Sequence, residues 1–322
     1  MVDAAVLDRA IGAVIGSAAG DALGAPYEFK PPLADEVPVT MHAGGPWELG
    51  EWTDDTSMAV PLLQELAAGN RFDDPLVLGR VVLAWKDWSR TAKDVGIQTR
   101  RMLGLLSDAS ATPATEASAR AAAKAVHDET GRSGGNGSLM RTGPLALGYL
   151  GDGEEAALAA AARRVSELTH FEDDAGDASV IWSLAIRHAI RTGELDLRAQ
   201  VEALPAERRA LWLERIDVAE ATLLTRDVPG GKGWVVAALQ AAWSAIHHGA
   251  DFADSIERAV RCGNDTDTVA AIAGSLAGAH RGASAVPAAW TEHLHGWPGL
   301  AASDLAELAR SAVDLAASPV VG

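Results

Sequence analysis

The segment from Ala4 to Gly24 carries Ala, Val, Ile and Gly on most of its faces and closes in Gly16-Ser-Ala-Ala-Gly20-Asp-Ala-Leu-Gly24. A helix that is apolar nearly all round has no face to give to water, so it must lie at the centre of a larger assembly. The rest of the chain supports helical partners. It is 48% hydrophobic but only 5% aromatic, and its apolar mass is Ala, Leu and Val with 32 Gly, which suits closely approaching helices more than sheets. The expectation is an all-α fold.

Residues 30–52 hold Pro31, Pro32, Pro38, Gly44, Gly45, Pro46 and Gly50 with little periodicity, and read as a long loop of the kind that often serves function. Helical spacing resumes over 56–66 with Met58, Val60, Leu62, Leu63 and Leu66. Further helices are expected at about 75–88, 94–106, 115–128, 139–150, 154–168, 174–192, 206–224, 233–248 and 251–261. Val269, Ile272, Ala273 and Leu276 mark another at i, i+3, i+4, i+7 spacing, and an Ala-rich helix covers 302–317. No run of alternating strands, internal repeat or linker appears, so residues 1–322 are expected to form one domain with a continuous core.

A net charge of −17 argues against nucleic-acid and anionic-membrane partners, because either needs clustered Lys and Arg against phosphate. An anionic small ligand would have to be met by bound metal and backbone N–H groups. The single cysteine, Cys262, excludes an internal disulfide framework, and Asp3 and Asp8 stand where a secretory signal would be positive. The apolar run 10–20 is about half a membrane span. A cytoplasmic, monomeric protein is expected.

Two acidic clusters carry the chemical signal: Thr53-Asp54-Asp55-Thr56 and Asp265-Thr266-Asp267-Thr268, each at the start of an apolar helix. Asp and Thr there are ordinary N-caps, but capping needs one such residue per helix and both clusters have carboxylates to spare. Gathering four carboxylates in a low dielectric is costly unless cations compensate them. All the donors are oxygens, with no patterned His or Cys nearby, which selects magnesium, manganese or calcium over zinc. The Gly134-Gly-Asn-Gly-Ser138 segment is either a flexible connector or a stretch whose backbone N–H groups can meet a phosphate.

In order along the chain, Gly20-Asp21-Ala-Leu-Gly24 with Glu28, Trp52-Thr-Asp-Asp-Thr56, Gly134-Gly-Asn-Gly-Ser138 followed by Met140-Arg141, Thr169-His170 and Asp265-Thr-Asp-Thr268 resemble the ADP-ribosylglycohydrolases. The bacterial dinitrogenase reductase-activating enzymes are the nearest group by this pattern, and the resemblance spans about residues 8–285. It implies one compact, orthogonal multi-helix domain with two Mg2+ or Mn2+ ions in a central cleft. By motif position their ligands would be Thr53, Asp54, Asp55, Asp265, Asp267 and Thr268.

The same resemblance gives roles to residues that carry little signal alone. Glu28, by default a solvated loop residue, becomes the catalytic carboxylate or gate. Gly134, Gly135, Asn136, Gly137, Ser138, Met140 and Arg141 would hold pyrophosphate and ribose. His170, otherwise a cap for the helix ending near Leu168, would line the nucleotide cleft. Asp94, otherwise the N-cap of the 94–106 helix, would hold a guanidinium leaving group, which a carboxylate suits. The acidic stretch Phe171-Glu-Asp-Asp-Ala-Gly-Asp177 departs from the nitrogenase-linked pattern, so acceptor choice is expected there and at Asp94.

The implied activity is Mg/Mn-dependent removal of ADP-ribose from arginine on proteins, or from a small ADP-ribose conjugate, through an oxocarbenium-like anomeric carbon captured by water. The rivals are hydrolysis of a serine, O-acetyl or phosphate linkage, a metal-dependent nucleotide phosphohydrolase, and a non-catalytic ADP-ribose binder.

Overall fold

The computed structural model describes residues 2–107 and 110–317. Asp3 accepts from the N–H groups of Ala5 and Val6 and so starts α1 (Ala4–Gly24). A long loop leads to α2 (Asp54–Ala67), followed by α3 (Pro75–Trp88), α4 (Ile97–Gly104), α5 (Pro113–Thr130), α6 (Glu155–Glu167) and α7 (Asp173–Thr192). Then come α8 (Leu197–Gln200), α9 (Ala206–Ala221), α10 (Val235–His247), α11 (Phe252–Val260), α12 (Thr266–Arg281), α13 (Ala288–Thr291) and α14 (Ala302–Ala316). The only sheet among the described residues is a two-stranded hairpin, β1 (His295–Gly296) with β2 (Leu300–Ala301). The fold is all-α, as expected.

Two expected helices change. Over 139–150 the chain makes turns and a 3-10 helix, Gly143–Tyr149, because Pro144 supplies no N–H. The helix expected at 94–106 starts only at Ile97 with Gly96 as its N-cap, leaving Asp94 in the preceding loop.

The architecture turns on one pair of helices. α1 and α12 run antiparallel with their backbones in contact: Gly12 lies against Gly278, Gly16 against Gly274, Gly20 against Ala270 and Gly24 against Asp267. A Cβ on Gly16 would stand 2.5 Å from the Gly274 carbonyl oxygen, and one on Gly24 2.5 Å from the Asp267 Cα, so no side chain fits between them. The glycine spacing of the first helix is therefore a packing seam, and α1 is buried from Gly12 through Gly24. Around the seam, α7 donates the Trp182 indole N–H to the Ile272 carbonyl and the Ser275 hydroxyl on α12. One hydrophobic cluster runs from Ala10 on α1 to Val313 on α14. No helix of the described residues is long and apolar enough to cross a membrane.

Candidate metal centre and substrate cleft

The seam sets the end of α1 beside the start of α12, and α2 begins at the same point. Asp21, fully buried on α1, is the link. Its Oδ1 accepts the Thr53 N–H at 2.9 Å, and its Oδ2 accepts the Thr56 N–H at 3.0 Å and the Thr56 hydroxyl at 2.6 Å. These are the donors that a local N-cap would satisfy. Thr53, the N-cap residue of α2, makes no capping bond with its own side chain and gives its hydroxyl to Asp55 Oδ2 at 2.9 Å. Asp265, the N-cap residue of α12, does not cap either; its Oδ2 accepts from Asn136 Nδ2 at 2.7 Å. The capping reading of both clusters is thus replaced: α2 is capped from another helix, and the cluster carboxylates face each other.

Two trios result. Carboxylate oxygens of Asp21, Asp55 and Asp267 lie within 4.8 Å of one another, as do those of Glu28, Asp265 and Asp267, with Asp267 in both. Asp55 Oδ1 is buried and has no hydrogen-bond partner, which is costly for a carboxylate oxygen unless a cation meets it. Glu28 reaches its trio through an unusual turn. Phe29 and Asn264 both adopt left-handed backbone, with φ of 59° and 63°. The Phe29 N–H donates to the Asn264 carbonyl at 2.6 Å and the Asn264 N–H to the Lys30 carbonyl at 2.8 Å. Non-glycine residues in this region are strained, and such strain concentrates at functional sites.

The protonation behaviour follows from the crowding. Burial, then the charges of Asp265, Asp94 and Asp54, push Glu28 up to about 8. Burial, then Asp94, Asp21 and Asp265, push Asp54 up to about 8. Asp55 and Asp267 are held well above the usual carboxylate range, chiefly by burial, and Asp21 and Asp265 are raised for the same reason. An all-oxygen donor set with an unpartnered buried oxygen and mutual repulsion fits hard divalent cations such as Mg2+ or Mn2+.

The centre opens into a cleft of about 530 Å3 lined by Glu28, Asp54, Asp94, Gly135, Asn136, Gly137, Met140 and His170, among others. Asn136 ties the glycine segment to the centre: beyond its bond to Asp265, its Nδ2 donates to the Lys232 carbonyl at 3.0 Å and its N–H to that of Gly233 at 3.1 Å. His170 sits under the segment, so close that a Cβ on Gly137 would stand 3.1 Å from its Cε1. Burial, then the charge of Arg141, hold His170 well below its usual range, so its ring is neutral.

Arg141 itself does not reach the cleft. It is fully buried, stacked 4.2 Å from the Trp85 ring centroid, and donates to the Gly137 carbonyl at 3.0 Å and to Thr169 Oγ1 at 2.6 Å. Because that hydroxyl accepts from Arg141, its own hydrogen is free for His170 Nδ1, 2.6 Å away. With that polarity the ring carries its proton on Nε2, the nitrogen nearer Gly135.

The centre therefore brings together Glu28, Thr53, Asp54, Asp55, Asp265, Asp267 and Thr268, and the cleft adds Asp94, Gly135, Asn136, Gly137, Met140 and His170. Gly134, Ser138 and Arg141 stand behind the wall: Gly134 packs on the Glu172 carboxylate, and Ser138 is fully buried. The 171–177 stretch is tied up internally. Asp174 pairs with Arg208 and Arg215, and Asp177 with Arg163, Arg208 and the Trp212 N–H. Asp21 is the residue that sequence reasoning missed. Beyond its place in the Gly20–Gly24 motif, its signal is that it is the one charged residue between Arg9 and Glu28.

The chain matches known proteins over nearly its whole length. Residues 2–319 match the ADP-ribosylglycohydrolase family. The chain is similar to the ADP-ribosylarginine hydrolase Tri1 of Pseudomonas putida, 30% identical over 89% of this chain and 74% of that protein. It is 29% identical to the ADP-ribosyl-[dinitrogen reductase] glycohydrolase of Rhodospirillum rubrum, over 91% of this chain and 92% of that one. Among solved structures, an ADP-ribosylglycohydrolase-related protein complex superposes with a TM-score of 0.70 at 28% identity, covering 97% of this chain and 99% of that one.

Proposed function

The chain belongs to the ADP-ribosylglycohydrolase family and is a hydrolase of ADP-ribosyl groups, and on that premise we propose that it releases ADP-ribose from modified arginine side chains, using two divalent cations held around Asp267. The observation that carries the reading is the pair of carboxylate trios sharing Asp267, with Asp55 Oδ1 buried and unpartnered, at the floor of a cleft large enough for a nucleotide. Asp21, Asp55 and Asp267 would hold one Mg2+ or Mn2+, and Glu28, Asp265 and Asp267 the other, with Thr53, Asp54 and Thr268 as further oxygen donors. Such ions supply Lewis acidity toward ribose oxygens and water.

The protein's own groups do the rest. Backbone N–H groups of 135–137 and the His170 Nε2–H meet the pyrophosphate, which an acidic chain could not hold with lysines. Arg141 acts through Thr169 and His170 as a positioning residue. Glu28, at the edge of its trio and on the cleft wall, takes the proton of the attacking water as the anomeric C–N bond breaks, and that proton is passed on to the departing guanidine nitrogen, so that arginine leaves as its guanidinium. Asp94, which lines the cleft with Asp54, receives the guanidinium leaving group. The arginine acceptor is supported by the named activity of the Pseudomonas relative, and one shared core supports a single catalytic domain over residues 1–322.

The test is to incubate the chelator-treated protein with arginine-, serine- and phosphate-linked ADP-ribose, with and without Mg2+ or Mn2+. Intact ADP-ribose should appear from the arginine linkage and only with metal. Release of AMP or phosphate, or turnover indifferent to metal, would overturn the reading.

A further inference from the structure

Besides the nucleotide-sized cleft, Asp54 and Asp94 border a second recess of about 100 Å3. Its walls are Trp47, Trp52, Trp88 and Trp297, contributed by the long loop, the end of α3 and the turn between β1 and β2. Four of the chain's ten tryptophans are thus gathered at one small opening. The recess has room for about three waters, too little for a nucleobase.

Its charge is equally specific. Glu51, Asp54 and Asp94 face it against a single cation, Lys93. That cation shows what the recess attracts: Lys93 Nζ donates to both Glu51 carboxylate oxygens at 2.6 Å and stands 5.4 Å from the Trp47 ring centroid. A net negative pocket walled by indoles favours a flat, weakly hydrated cation on an apolar stem.

We infer that the tryptophan recess binds the guanidinium-bearing side chain of the acceptor, with Trp47 as its stacking face and Lys93 as an internal cation competing for Glu51 and Trp47. This rests on reading the larger cleft as the ADP-ribose site. The glycosidic bond then crosses the partition formed by Asp54 and Asp94, with sugar on one side and acceptor on the other. Acceptor choice is written in the recess walls and not in the 171–177 stretch.

The test titrates agmatine, a guanidinium on a plain aliphatic stem, into the full-length protein with Mn2+ and saturating ADP-ribose, by calorimetry. Wild type should bind. Trp47→Leu should weaken agmatine roughly tenfold, within the range of a desolvated cation–π contact, and lower kcat/KM on arginine-linked substrate at least fivefold more than on serine-linked substrate. Lys93→Met should tighten agmatine severalfold, a gain that misfolding cannot produce.

No agmatine binding by wild type, or binding indifferent to both substitutions, overturns the recess while leaving arginine hydrolysis intact if that linkage is cleaved. Trp47-dependent agmatine binding by a protein that cleaves only serine or phosphate linkages upholds the recess as a cation site and overturns the arginine reading instead.

Discussion

Replacing Gly24 with Ala tests whether the helix seam positions the metal centre. The new Cβ would meet the Asp267 Cα at 2.5 Å, its N at 2.6 Å and the Thr266 carbonyl oxygen at 2.6 Å. All three are backbone atoms that cannot rotate away. Restoring ordinary contact, at 3.4 Å, requires the start of α12 to retreat by about 0.9 Å. Overpacking of this kind costs roughly 1–3 kcal/mol, offset in part by up to about 1 kcal/mol of helix propensity. A net loss of about 1–2 kcal/mol lowers Tm by about 1.5–3 °C in a chain of this size.

The retreat carries Asp267 with it. Metal ligation tolerates errors of about 0.2 Å, so Mn2+ affinity should fall at least tenfold. Gly16→Ala is the companion, because its Cβ would meet the Gly274 carbonyl oxygen at the same 2.5 Å but about 12 Å further along the axis. It should lose similar stability and keep Mn2+ affinity within about twofold. Gly104→Ala, with open space around it, should do neither. Metal-free thermal unfolding and Mn2+ calorimetry read both quantities. Wild-type affinity in Gly24→Ala, or an equal affinity loss in Gly16→Ala, would refute the coupling.

The metal-free protein should lose stability as pH rises from about 4 to about 8, because Glu28 and Asp54 keep their protons to about 8 when folded and release them near 4 when unfolded; melting in chelator across that range checks it, and stability that climbs with pH would contradict it. Asp267→Asn removes one of the repelling charges, so the chelated variant should melt no lower than wild type while losing both the Mn2+-induced rise in Tm and turnover. Asp21→Asn turns one acceptor toward the Thr53 or Thr56 donors into an N–H, costing about 1–3 kcal/mol and loosening the first turn of α2, visible as faster amide exchange at Thr53 and Thr56. Glu28→Gln should cut kcat at least a hundredfold with ADP-ribose affinity changed less than tenfold, and equal losses in both would make it a binding residue only.

The helices were legible where apolar spacing was long and uninterrupted, as in α7 and α10, and failed at 139–150, where Pro144 breaks the ladder inside an apolar run. The acidic clusters were legible as oxygen donors because their composition exceeded what capping needs. Their meeting was not: the four-residue glycine spacing of α1 announces a close approach but not its partner, which lies some 250 residues away. Asp21 escaped for the same reason, since its role is fixed by Thr53 and Thr56 on another helix. Arg141 has a ligand role only by the family resemblance, and one more turn of chain beyond the glycine segment carries it to Thr169, away from the cleft. The recess could not be read at all, because its tryptophans come from three separate stretches.

The seam also dictates a timetable for the molecule's birth. α1 leaves the ribosome well before α12, so a closure of about 240 residues precedes the contact that buries the glycine stripe. Until then the N-terminal helix has no partner for its glycine-lined face, and the acidic centre has no Asp267. A nascent chain halted before Thr266 would thus be exposed to aggregation or chaperone capture, and the carboxylate trios that share Asp267 are completed only once α12 has docked on α1.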